Sequence, residues 1–154
     1  MAPSPTAAAE AWLASFATAL AAGEPTAVLA LFGPECFWRD LVAFTWNLRT
    51  EEGPAAIAAM LAARLQDVAP RGFRLRGEAW ESDGRVEAWF GFETRVGRCS
   101  GHLRLRDGRA WTLFTALDEL KGHEERVRQR RPAGAEHGVH PGRHSWGERR
   151  EAER

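Results

Sequence analysis

The stretch RVEAWFGFETRVGRCSGHLRLRDGRAWTLFTALD, Arg85 to Asp118, repeats with a period of two. Val86, Ala88, Phe90 and Phe92 alternate with Glu87, Trp89, Gly91 and Glu93. Leu103 and Leu105 alternate with His102, Arg104 and Arg106; Trp111, Leu113, Thr115 and Leu117 alternate with Thr112, Phe114, Ala116 and Asp118. Successive side chains of a strand face opposite sides, so the pattern predicts three strands, each burying one face. Gly97 and Asp107-Gly108 mark the turns between them, and Ser82-Asp83-Gly84 marks another hairpin upstream. Phe73, Leu75, Gly77 and Ala79 alternate with Arg74, Arg76, Glu78 and Trp80, extending the antiparallel meander back to Arg71.

Before Arg71 the period is helical. Ser4-Pro5 supplies an N-cap and a first-turn proline, Trp12, Phe16 and Leu20 recur every four residues, and Gly23 ends the run. Pro25 starts a short second helix through Phe32, closed by Gly33-Pro34. Gly53-Pro54 opens a third, with Ile57, Met60, Leu61, Arg64 and Leu65 at helical spacing, and Pro70 stops it. Helices first and a meander after is an α+β pattern.

Between the second and third helices lies CFWRDLVAFTWNLRTEEG, Cys36 to Gly53, with a strand expected over Phe37 to Val42. It sets one carboxylate, Asp40, among Phe37, Trp38, Leu41, Val42, Phe44, Trp46 and Leu48. An ionised carboxylate in apolar surroundings costs several kcal/mol unless something compensates. Two readings stay open: an ion pair with Arg39 or Arg49, or a carboxylate lining a pocket.

The chain has 154 residues, 44% of them hydrophobic, with seven Trp and eight Phe, enough for one domain with a real core plus an extension. Formal net charge is zero, which offers no field for nucleic acid or an anionic membrane. Cys36 and Cys99 form neither a metal nor a redox motif and read as core residues. The N-terminus is apolar but carries no basic residue before Arg39, and Glu10 interrupts it, so a secretory leader is not expected. There is no apolar run of about 18 residues for a membrane span. The expected location is the cytoplasm.

Composition shifts after Leu120. Residues 121–154 carry nine Lys/Arg against six Asp/Glu, a net of +3, with four of the five His and few large apolar residues. The segment cannot bury a core of its own and reads as a linker or extended arm behind a domain over residues 1–120. His137, His140 and His144 in HGVHPGRH are spaced for metal on a helix, but Gly and Pro argue against a helix there, so no metal site is assigned.

Helices followed by a curved antiparallel sheet resemble the cone-shaped nuclear transport factor 2-like fold of SnoaL-like cyclases, ketosteroid isomerase and limonene epoxide hydrolase. FWRDLVAFTWNLRTEEG, RVEAWFGFET, GHLRL, RAWTLFTALDELKGHEE and EHGVHPGRHSW also resemble, in order, the amino-terminal domain of a group of bacterial flavin-containing monooxygenases. The resemblance implies a small-molecule-binding accessory domain, its partners a small apolar molecule and either a second copy or a flavin domain in the same polypeptide. This chain has no GxGxxG turn to hold a pyrophosphate. It therefore holds no cofactor by that route, and FAD and NADP belong to it only through a downstream oxidoreductase domain.

A second reading is a free-standing SnoaL-like isomerase, cyclase or dehydratase; a third is a dimerisation module without catalysis. In ketosteroid isomerase a carboxylate on the early strand is the general base, and a Tyr with a protonated Asp holds the oxyanion. Asp40 occupies the matching point in the helix–helix–strand order. The chain has no Tyr, and His102 is the one polar candidate for the second oxyanion donor on GHLRL. Trp12, Phe16, Trp38, Phe44, Trp46, Asn47, Phe90 and Trp111 are the expected pocket wall.

Overall fold

Ser4 sets the first element: its Oγ accepts the Ala7 N–H at 3.2 Å, Pro5 follows, and helix α1 runs Pro5–Ala22. It stops at Gly23, whose φ of 68° is a left-handed conformation that glycine adopts without strain. The computed structural model describes residues 3–131, 134, 142 and 144–153. After α1 come α2 (Pro25–Leu29), β1 (Phe32–Leu41), β2 (Leu48–Glu52), α3 (Gly53–Val68), β3 (Arg71–Leu75), β4 (Trp80–Ser82), β5 (Arg85–Glu93), β6 (Gly97–Arg106) and β7 (Arg109–Leu120).

The strands form one sheet in the order β2-β1-β7-β6-β5-β3, with β4 beside β5. All pairs are antiparallel except β1 and β7, which run parallel with Trp38 opposite Leu113 and Asp40 opposite Thr115. The sheet is thus mixed where alternation suggested only a meander. Period two says which face a strand buries and nothing about its direction. The connection from β1 to β7 passes through α3 and the other strands, long enough for a parallel return. β2 is a strand that the sequence pattern did not reveal, and β1 begins at Phe32 rather than Phe37. Register shifts within β1, β3 and between β6 and β7 bend the strands.

Helices α1 and α3 cover the inner face. Trp12, Leu13 and Phe16 from α1 and Ile57, Met60 and Leu61 from α3 meet Trp38, Phe90, Phe92, Leu103 and Leu113 from the sheet. Aromatic rings fill the space between: Trp12 stacks on Phe16 at 4.7 Å, Phe44 meets Trp38 edge-on at 4.9 Å, and Phe73 stacks on Phe92 at 5.1 Å. Phe90 lies over its cross-strand neighbour Gly101, where a Cβ would sit 2.1 Å from the ring. A glycine at that point is what lets the phenyl ring lie flat against β6.

The chain divides into two units after Glu124. Residues 121–124 stay with the sheet. The Lys121 N–H donates to the Val96 carbonyl at 2.9 Å, its ammonium reaches Thr94 O and Glu93, and Arg98 holds Glu119 and Glu124 at 2.9 Å each. The second unit includes a short 3₁₀ turn at Arg128–Arg130 and a helix α4 (Trp146–Ala152), whose start Ser145 and Glu148 secure as a capping box. His137 and His140 lie outside the described residues. No described helix is long and apolar enough to cross a membrane.

Candidate functional site

Asp40 sits on the inner side of β1 with none of its surface exposed. Its Oδ2 accepts the backbone N–H of Phe44 at 3.0 Å, that of Thr45 at 2.8 Å and the Thr45 hydroxyl at 2.9 Å. Its Oδ1 accepts the Thr115 hydroxyl at 2.6 Å, and Thr115 Oγ1 accepts the Trp38 indole N–H at 2.9 Å. Four donors to one carboxylate offset the several kcal/mol of its desolvation. The arginine partners considered from sequence are absent. Arg39, one residue along the strand, points to the opposite face, and Arg49, opposite Asp40 on β2, turns its Nε to Glu51 at 2.6 Å.

The network clamps the loop between β1 and β2. Val42 and Trp46 there have φ of 67° and 55°, a left-handed conformation that bulky residues rarely adopt. Such positions cost about 1–3 kcal/mol each and persist only where the surroundings enforce them. Asp40 enforces them by holding the two amides between, helped by Val42 N–H to Asn47 O at 3.0 Å.

The expected pocket wall divides into three groups. Trp12, Phe16, Trp38, Phe44 and Phe90 belong to the packed inner cluster. The clefts described below are lined by none of them, nor by Asp40. Trp46 (54% exposed) and Asn47 stand on the surface loop, where the Asn47 side chain accepts the Leu48 N–H. Trp111 lies at the β6–β7 register shift with the guanidiniums of Arg85 and Arg106 at 4.8 and 4.3 Å from its ring. Among the described residues its indole N–H is buried without a partner.

His102 and Asp40 do not meet, because they occupy opposite faces of the sheet. On the outer face His102 is cross-strand from Trp89, at 4.6 Å between rings, with Trp80 at 5.9 Å and Glu87 3.5 Å from Nε2. Burial holds the imidazole below its ordinary pKa; the Arg104 charge adds to this, and Glu87 opposes it. A groove of about 580 Å³ runs over this face, between Phe37, Trp80, Trp89 and Phe114, with Arg39 and Arg104 also in its wall. A second groove of about 450 Å³ lies between β2 and α3, lined by Thr45, Arg49, Glu51, Met60 and Arg64. Glu51 escaped the sequence reading because β2 was not seen as a strand, and Arg64 was read only as part of the helical spacing of α3. Had β2 been seen, the alternation Arg49, Glu51 against Thr50 would have turned both toward α3.

The network predicts the effect of two substitutions. Asp40→Asn places an amide NH₂ against donors already aimed at the site, and urea denaturation should register a loss of about 2–4 kcal/mol. Arg39→Gln should stay within about 0.5 kcal/mol of the parent; a comparable loss there would restore the ion pair. For His102 the folded pKa lies below the unfolded value of 6.5. The unfolded chain then takes up the proton first as pH falls, so its contribution to stability is present above about pH 6.5 and is lost on acidification. Melting curves from pH 7.5 to 5.5 should show a slope that His102→Gln reduces; an unchanged slope would assign it to other groups.

No family model matches this chain, and no curated protein does. Solved structures do. A ketosteroid isomerase-like protein from Erwinia carotovora atroseptica superposes with a TM-score of 0.61 at 10% identity, over 77% of this chain and 99% of its own. A candidate polyketide cyclase from Xanthomonas campestris gives 0.52 at 19% identity, over 75% and 93%. The orange carotenoid protein of Anabaena, solved binding canthaxanthin, gives 0.56 at 13% identity, over 69% of this chain and 35% of its own. At such identities the likeness is one of fold: helices α1–α3 and the curved mixed sheet make this chain a nuclear transport factor 2-like cone.

Proposed function

We propose that this chain is a small-molecule-binding domain whose ligand lies in the aromatic groove on the outer sheet face rather than inside the cone. The observation that carries the reading is the groove itself. Trp80 and Trp89, 41% and 45% exposed, flank His102, while Phe37 and Phe114 give an apolar wall. Its volume of about 580 Å³ suits a ligand of drug-like size. Arg39 and Arg104 would pair with an acidic or oxygen-bearing edge of an otherwise apolar, flat molecule. The carotenoid bound by one protein of this fold supports a small-molecule role. Chemistry at Asp40 has no comparable support: both its oxygens accept hydrogen bonds, and a general base needs reach to a substrate proton.

A second reading has its own observation. The apolar face extends past the groove to Leu41 and Leu48, neighbours across β1 and β2 and 38% and 55% exposed. A second copy of the chain laid on this face would cover them together with the two tryptophans. The resemblance of five sequence blocks to those of flavin-containing monooxygenases supports the further proposal that the domain serves such an enzyme, with FAD and NADP held by a separate oxidoreductase domain. A reading frame continuing beyond Arg154 into a GxGxxG segment would bear on that directly.

The test uses 1-anilinonaphthalene-8-sulfonate, which has an apolar double ring and one anionic edge. Titration should quench the protein's tryptophan emission saturably, and Trp89→Ala should weaken binding about tenfold or more at unchanged melting temperature. Equal binding by Trp89→Ala would overturn the ligand reading. No binding, together with a light-scattering mass of two chains that Trp89→Glu halves, would establish self-pairing instead.

A further inference from the structure

The loop that Asp40 clamps presents a carbonyl to a second surface. Phe44 O accepts the Arg64 Nε–H at 3.1 Å. Phe44 and Thr45, whose amides end on Asp40, therefore also orient a guanidinium on α3, and that guanidinium lines the groove between β2 and α3. This groove is separate from the aromatic one. On β2, Arg49 and Glu51 turn toward α3, while Thr50 lines the outer face.

The charges in the groove do not cancel. Glu51, 5% exposed, is matched by Arg49 at 2.6 Å. Arg64 is half-buried, and among the described residues it has no carboxylate within ion-pair distance; its one hydrogen bond goes to a neutral carbonyl. Among the described residues its two Nη groups make no hydrogen bond, and Thr45 and Arg49 line the same groove. A partly desolvated guanidinium without a counter-charge is satisfied best by an anion, and a carboxylate matches its planar fork with two parallel hydrogen bonds. Glu51 sets a limit on that anion. Among the side chains that line the groove two guanidiniums face one carboxylate, a balance that suits a monoanion, while Glu51 and the Asp40 carboxylate behind the Thr45 hydroxyl both disfavour a doubly charged group. The opposite wall is apolar, made of Ala56, Ala59, Met60 and Ala63.

We propose that the groove between β2 and α3 is a binding site for a small monocarboxylic acid. The carboxylate lies on Arg64 with help from Arg49, and the hydrocarbon part lies along α3 over Ala59 and Met60. The volume of about 450 Å³ accommodates an acid of six to ten carbons. The site needs no movement of the cone interior, because Ala59 is exposed and Arg64 half-buried, with Glu51 and Met60 each keeping 5% of their surface exposed.

The probes are hexanoate, hexan-1-ol and inorganic phosphate, titrated into the full chain by calorimetry with amide NMR shifts as the second readout. Hexanoate should bind saturably and shift the amides of Thr45 and α3, with hexan-1-ol and phosphate each about tenfold weaker or worse. Arg64→Gln should weaken hexanoate about tenfold. Ala59→Phe, an exposed position that leaves Arg64 untouched, should block it by filling the groove, so the test stands even if Arg64→Gln folds poorly. The proposal is overturned by hexanoate binding that Ala59→Phe leaves unchanged, by hexan-1-ol or phosphate binding as well as hexanoate, or by no saturable hexanoate binding up to about 10 mM. None of these outcomes depends on the outer groove, whose probe and variants are different.

Discussion

The Asp40 carboxylate and its four hydrogen bonds set the terms for the rest of this domain. A charge with no surface exposure must be satisfied locally, and here neutral groups do it: two amides and two hydroxyls. These donors come from different places. Thr115 lies 75 residues away on β7, so the bond ties the parallel β1–β7 pair at one rung. Phe44 and Thr45 follow a few residues later and lock a loop containing two left-handed non-glycine residues. Trp38 joins through Thr115, linking the acid to the aromatic interior.

Because neutral groups satisfy the acid, the nearby arginines are free for other work. Arg39 faces the outer groove, Arg49 neutralises Glu51, and Arg64 rests on the Phe44 carbonyl at the edge of the second groove. The interior is occupied by the protein's own rings, from Trp12 and Phe16 through Trp38 and Phe44 to Phe90. Large rings in contact at 4.7 to 6.3 Å are the dense packing that stabilises a core. A cone filled in this way leaves its exposed polar and aromatic side chains on its faces and edges.

Much of this was legible in the residues. Period-two alternation gave the two faces of β5, β6 and β7, and with them the outward placement of Trp89, His102 and Arg104. The burial of Asp40 followed from its apolar neighbours. Its partners did not, since a threonine on the last strand meets the first only through a parallel pairing that alternation cannot encode. Alternation does not place Trp111 for a related reason: it sits at a register shift, and an irregular rung breaks the link between residue parity and face. Whether the cone was open or filled depended on how eight or so rings pack together, which no local pattern specifies. Glu51 was hidden because LRTEE is too short and polar to announce itself as a strand, and Arg64, visible on α3, had nothing local to tie it to β2.

Amide hydrogen exchange at Phe44 and Thr45 tests the clamp most directly, since among the described residues both N–H groups donate to Asp40 alone. In the native chain both should exchange far more slowly than the exposed loop amides at Trp46 and Asn47, and in Asp40→Ala both should speed up while the β5 and β6 amides stay protected. Fast exchange at Phe44 and Thr45 in the native chain, or protection that survives removal of the carboxylate, would contradict the account.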